Sequence, residues 1–189
     1  DLPVFLNSPM AIDMTDIYHR HRAEHRLSDA ECAGMCKVAT MVRSVEESRA
    51  LNAMTYPAVI VSASGMATGG RVLHHLKTLA PDRRNTVVFA GYQAAGTRGA
   101  RMVAGESSIR IHGQDIPVRA EVMSLEGISA HADARQIVQW LATAQRPPRR
   151  VYLTHGEPGP ADTLRQRIER ELGWDAYAPR LGQTIEVES

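Results

Sequence analysis

The sequence predicts an α/β fold built on a parallel sheet with flanking helices. Short β-branched runs such as Ala58 to Ser62 (AVIVS) and Thr86 to Ala90 (TVVFA) alternate with amphipathic stretches at the spacing of βαβ units. Both runs are apolar throughout, as strands covered on two faces are. The composition, 43% hydrophobic and 23% charged over 189 residues, is that of an ordinary globular chain. A chain of this length buries enough surface to fold without disulfides or metal.

In order, Pro3 to Leu6 reads as a strand, Asp13 to Arg26 as a polar helix and Val38 to Val42 as a strand. Val45 to Met54 is helical, with Glu46, Glu47 and Arg49 outward. After the strand AVIVS, Gly70 to Leu79 places Val72, Leu73, Leu76 and Leu79 on one helix face. After the strand TVVFA, Gly99 to Val103 is a short helix. The pattern then changes. Ser108 to His112 and Pro117 to Met123 alternate in period two around Gly113 and predict an antiparallel hairpin. Helix (Asp133 to Ala144), strand (Val151 to Thr154), helix (Pro160 to Leu172) and two strands (Ala176 to Ala178, Thr184 to Val187) follow. The change of pattern puts a boundary near residue 118.

The 22 basic and 21 acidic residues leave a net charge of +1, which argues against polyanion binding through bulk charge but leaves room for local patches. No apolar run approaches the ~20 residues of a membrane span, so no membrane partner is expected. Two cysteines, Cys32 and Cys36, are too few for a disulfide framework and read as core residues one helical turn apart, in a reduced cytoplasmic compartment. The chain opens on Asp1 and runs at once into Val4-Phe5-Leu6, which reads as the inside of something longer.

Chemistry concentrates in four places. Ser62 to Arg71 (SASGMATGGR) joins a strand to a helix, where backbone N–H groups and the helix dipole favour an anion. It lacks the Lys of a P-loop. Gly91 to Gly99 (GYQAAGTRG) is a second such loop, and in a parallel sheet both emerge at the carboxyl edge. Arg71 and Arg98 are placed to add charge there. The third place is His131, held just before a helix with Asp133 as N-cap; a positioned imidazole can move a proton near neutral pH. The fourth is His155, at the end of the strand VYL in Leu153 to Glu157 (LTHGE). One His is not a metal site, because zinc takes at least three protein ligands. His21 to His25 matches H-x-x-E-H, but its surroundings are almost wholly charged or polar, which favours a solvated basic helix face over a zinc helix.

Together these segments resemble the β-CASP branch of the metallo-β-lactamase superfamily, the nucleic-acid-processing nucleases. LNSPMA (Leu6 to Ala11) is similar to the family's DSP[ML]A segment, with Asn7 where Asp is common. SASGMATGGRVLHHL (Ser62 to Leu76), GYQAAGTRGA (Gly91 to Ala100), ISAHAD (Ile128 to Asp133) and LTHGE are similar to further family motifs, in the family's order. The resemblance implies a β-CASP domain over residues 1–118 and the C-terminal part of a metallo-β-lactamase αββα domain over 119–189.

It also implies a zinc-dependent ribonuclease acting on single-stranded RNA, since a His in the LTHGE motif marks the RNA-processing members. His155 would be a zinc ligand in a site of two zinc ions that activates a hydroxide. His131 would stand at the scissile phosphate, supported by Asp133 and Glu157. Ser62, Ser64, Gly65, Met66, Gly69, Gly70, Arg71, Gly96, Thr97 and Arg98 would hold the RNA backbone. The family's principal zinc motif, H-x-H-x-D-H, is absent from these 189 residues. The isolated chain is therefore expected to be inactive and empty of zinc, with an N-terminal lactamase half as its missing partner and a homodimer left open. The alternative is a non-catalytic RNA-binding or scaffold homologue. A nucleotide-dependent α/β enzyme that uses the two glycine loops is a more distant third.

Overall fold

The computed structural model describes residues 2–125, 127, 128 and 131–186. The chain divides into two compact units, Asp1–Ser129 and Ala130–Ser189; residue 118, where the sequence pattern changes, lies within the first.

The first unit opens with strand β1 (Val4–Leu6) and helix α1 (Pro9–Arg20). Ser8 caps α1, its Oγ accepting from Ala11 N at 3.3 Å, and Pro9 supplies a first-turn position that needs no N–H donor. The helix stops at Arg20, short of the expected Arg26, and a 3-10 turn (Arg22–Glu24) follows. Helix α2 (Asp29–Lys37) starts on a capping box of Ser28 and Glu31 and buries Cys32 completely. Strand β2 (Thr40–Met41), helix α3 (Val45–Leu51), strand β3 (Val59–Val61) and helix α4 (Val72–Leu79) come next. Ser44 and Glu47 form a second capping box at α3. Strand β1 pairs in parallel with both β2 and β3, giving the order β2-β1-β3.

Strand β4 (Thr86–Ala90) leads to helix α5 (Arg98–Val103), whose N-cap Thr97 accepts from Ala100 N. The hairpin expected between 108–112 and 117–123 is paired differently. Strand β5 (Ser108–Ile111) turns at His112-Gly113 and pairs with β6 (Gln114–Pro117). Strand β7 (Glu121–Leu125) leaves the hairpin and lies parallel to β4, with Val88 opposite Met123. Two residues explain the tight turn: His112 and Gly113 both have positive φ, at 47° and 79°, as the central pair of a type I′ turn requires.

The core of this unit gathers Leu73 and Leu76 of α4, Phe89 of β4, Met102 of α5 and Ile109, Ile111 and Ile116 of the hairpin. One face of the β4–β7 ladder is buried; on the other Val88, Met123 and Leu125 stay exposed, as do Val59 and Val61 of β3.

The second unit holds helix α6 (Ala134–Leu141), strand β8 (Val151–Tyr152), helix α7 (Pro158–Leu172) and strand β9 (Ala176–Tyr177), with β8 and β9 parallel. Val138, Ile168 and Ala176 form its core, with Leu164, Leu172 and Trp174 packed against them. Gly173, in the left-handed conformation at φ 68°, ends α7. Residues 184–186 form no strand, and Val187 lies outside the described residues. No helix among the described residues is long and apolar enough to cross a membrane.

Candidate RNA-binding loops and histidines

The two glycine loops meet. The first leaves β3 and the second leaves β4, strands of different sheets, yet each loop is bonded to the other. Gly99 N donates to Met66 O at 3.1 Å, and Gln93 Nε2 donates to Gly65 O at 3.1 Å. Arg98 Nη1 donates to Ala67 O at 3.2 Å, while its Nε reaches Arg110 O on β5 at 2.6 Å. Between the loops lies a pocket of about 320 Å³, lined by Ser64, Gly65, Met66, Thr68, Ala90, Tyr92 and Gln93.

Glycines serve two different purposes here. A Cβ on Gly70 would stand 2.6 Å from Ala63 O, and its φ is +78°, so the chain path itself demands glycine. A Cβ on Gly99 would strike Gln93 Oε1, which is buried against it. Gly65 is unlike both. Its φ is ordinary and a Cβ would meet nothing within 4 Å, yet it lines the pocket. No contact in the fold requires glycine there, and a glycine lets a ligand approach the backbone closely.

Several donors assigned to a phosphate from the sequence are engaged inside the protein. Ser64 Oγ accepts from Thr68 N at 3.0 Å and from Gly69 N at 3.3 Å, and pairs with Thr68 Oγ1 at 2.9 Å. Ser62 Oγ donates to Asn7 O. Thr97 caps α5, and Gly96 turns the chain just before it with φ at 80°. The guanidinium of Arg98 braces carbonyls, as above. Arg71 Nη1 donates to Asn7 Oδ1 at 2.7 Å and to Val42 O at 2.9 Å, and its Nη2 donates to Arg43 O at 2.7 Å. Both arginines thus brace the loop frame through these bonds.

Behind the first loop is a buried polar network that sequence reasoning missed. Arg71 has only donors, so Asn7 turns its Oδ1 toward it. Asn7 Nδ2 is left to donate to Ser48 Oγ and to His75 Nε2, each at 2.7 Å. His75 therefore carries its proton on Nδ1 and donates it to Asn52 Oδ1 at 2.6 Å. Asn7, Ser48 and His75 are all buried. Burial, then the nearby His74 and Arg71, hold the His75 pKa below its ordinary value. The one available signal was a departure: an amide at residue 7 suits a neutral imidazole, whereas the Asp common in the family would favour a charged one.

In the second unit, both histidines stand just before a helix. Asp133 caps α6, its Oδ1 accepting from Gln136 N at 2.7 Å, and Gln136 Oε1 accepts from Asp133 N in return. The exposed His131 lies two residues earlier. Ser129 and Ala130 of the same motif lie outside the described residues. His155 follows β8 with φ at 64°, a left-handed conformation that non-glycine residues adopt at some cost. It too is exposed, and Glu157 occupies the N-cap position of α7. Among the described residues no three His, Cys, Asp or Glu side chains are grouped to hold a metal ion.

The H-x-x-E-H match does not lie on an α-helix; its middle, Arg22–Glu24, is the 3-10 turn. His21 caps the end of α1 and its Nδ1 lies 2.8 Å from Glu24 Oε1, while His25 sits in extended backbone and stacks on Tyr18 with ring centroids 4.1 Å apart.

An α/β unit with two bonded glycine loops and a second unit with histidines before its helices are the features that the comparisons with known proteins place in a family. The Beta-Casp domain model matches residues 1–102, and the model of the Zn-dependent metallo-hydrolase RNA specificity domain matches residues 115–179. The chain belongs to the β-CASP family. It is 38% identical over 161 residues to Ribonuclease TTHA0252 of Thermus thermophilus, covering 82% of this chain and 36% of that protein. It is 38% identical over 136 residues to the transcription termination factor FttA of Pyrococcus abyssi, covering 69% of this chain and 21% of that one. FttA of Methanocaldococcus jannaschii is 34% identical over 163 residues, covering 82% of this chain and 25% of that protein. The chain thus spans about a third or less of the length of these relatives.

Proposed function

We propose that this chain is the β-CASP and RNA-specificity part of a zinc-dependent ribonuclease that hydrolyses RNA phosphodiester bonds. In this reading the pocket between the two loops takes the RNA backbone, and Gly65 is the observation that carries it: a glycine with no steric or conformational need, on the wall of a pocket. The similarity to a ribonuclease and to an RNA specificity domain supports RNA as the substrate class. Backbone contacts of this kind hold a strand without reading its sequence.

His131 would hold and deliver the proton that the leaving oxygen takes up, a step that typically contributes 10²–10⁴-fold. Asp133 fixes where that imidazole stands by pinning the helix start behind it. His155 would give one imidazole to zinc. One imidazole does not make a zinc site, and the described residues do not by themselves fit one. The remaining ligands would come from the rest of the protein, and no step is assigned to the metal.

The test is cleavage of labelled single-stranded RNA by the complete protein and by this chain alone, each with zinc. The complete protein is expected to cleave and to lose both activity and bound zinc in His155→Ala. The chain alone is expected to bind RNA without cutting it. RNA binding without cleavage by the complete protein would favour the scaffold reading. Zinc-dependent cleavage by the chain alone, lost in His155→Ala, would show a full site within these residues.

A further inference from the structure

A second cavity of about 410 Å³ lies between α3 and α4, away from the pocket of the two loops. Its walls follow helical spacing. Ser48, Arg49 and Asn52 line it from α3, and Arg71, His74 and Lys77 line it from α4 and its cap. Glu46 and Glu47 fall on the rest of the α3 surface, and no carboxylate is among the described residues that line the cavity. In a chain of net charge +1, three permanent cations and a histidine around one cavity form a strong local field.

The floor is rigid and offers donors. Ser48 Oγ accepts from Asn7 Nδ2, which leaves its own O–H proton to donate. Arg71 spends three of its five N–H groups on Asn7, Val42 and Arg43, all neutral acceptors, so its charge is not cancelled by the bonds that fix it. On α3, the N–H groups of Ser44 and Arg43 donate to the Glu47 carboxylate and hold its pKa below the ordinary value, with a smaller contribution from the charge of Arg71, and Arg43 pairs with Asp13 and Asp16. The same field acts on His75 behind the floor, where His74 and Arg71 add to burial in lowering its pKa.

We propose that the groove between α3 and α4 is a phosphate-binding subsite, in which Arg49, Arg71 and Lys77 supply charge and Ser48 an O–H donor. The ligand is a phosphate group, carried by an RNA strand or free in solution; the RNA source rests on the function proposed above, the free source does not. An Arg71 held in place by its bonds, with two further cations lining the same cavity, suits a tetrahedral anion.

The experiment uses the full chain, wild type and Arg49→Glu/Lys77→Glu, with the milder Arg49→Ala/Lys77→Ala as a second variant and circular dichroism as the check on folding. Binding of a labelled single-stranded oligonucleotide is followed across a salt series, and inorganic phosphate is titrated by calorimetry. If the ligand is an RNA phosphate, the double variants lose about tenfold or more in RNA affinity, and the salt slope falls by about 0.7 for each lost contact. If it is free phosphate, calorimetry detects binding to the wild type that disappears in the variants, while RNA affinity is unchanged. That result would stand even if the chain bound no RNA at all. Unchanged RNA affinity together with no phosphate binding to the wild type would overturn the subsite.

Discussion

Gly65 and Gly70 sit five residues apart in one loop and should respond to the same substitution in opposite ways. Gly70→Ala drives a Cβ into Ala63 O and forces a positive φ on alanine; a loss of about 1–3 kcal/mol in urea unfolding is expected. Gly65→Ala meets open space, so stability should stay within about 0.5 kcal/mol of wild type while RNA affinity falls. A stable Gly65→Ala variant with unchanged RNA affinity would remove the reason for glycine at this position. His75 gives a pH signature. Its folded pKa is lowered, so the unfolded chain binds more protons below the ordinary value of 6.5. Stability from this group is complete above that value and is lost as pH falls. The urea midpoint should drop as pH falls below the ordinary imidazole value of 6.5. Asn7→Asp replaces the amide donor with an acceptor, so His75 gains a partner for its charged form and this contribution should weaken or reverse. Both steps can be followed by the imidazole resonances of His75. At this scale the sequence was readable where chemistry is local, as with Asp133 capping α6. It was unreadable for Asn7 with His75, partners 68 residues apart.

Helices and strands were legible to different degrees, for identifiable reasons. The stripe Leu73, Leu76 and Leu79 announced α4, and the unbroken run TVVFA announced β4 with its bounds intact. Helix α2 has no apolar stripe, and only Ser28 and Glu31 at capping-box spacing marked its start. The hairpin was mispaired because period-two alternation runs on through Pro117, and nothing local says that Glu121–Leu125 pairs with Thr86–Ala90, 35 residues earlier. Parallel partners are set by tertiary packing. That packing can be tested at Leu76, which lies in the core with Phe89, Met102 and Ile109. Leu76→Ala should cost about 2–5 kcal/mol in urea unfolding. A cost under about 0.5 kcal/mol, the range of surface positions, would show that α4 does not pack as described.

For the whole molecule, class and family were accessible from sequence because several motifs occur together and in order, and the family models match where those motifs lie. A metal centre was not, because in the proposed reading its ligands would come from distant positions and His155 would be a single member of the set. The near-neutral total of +1 is compatible with an RNA partner, since the sites proposed for RNA are a pocket lined in part by Gly65 and one basic groove rather than overall charge. The central claim is that this chain serves RNA hydrolysis. It is tested most directly by the single-turnover rate at which the complete protein cleaves single-stranded RNA, wild type against His131→Ala. The account predicts cleavage by the wild type and a loss of about 10²–10⁴-fold in the variant, with RNA affinity retained. Equal rates in the two proteins, or no cleavage by either, would contradict it.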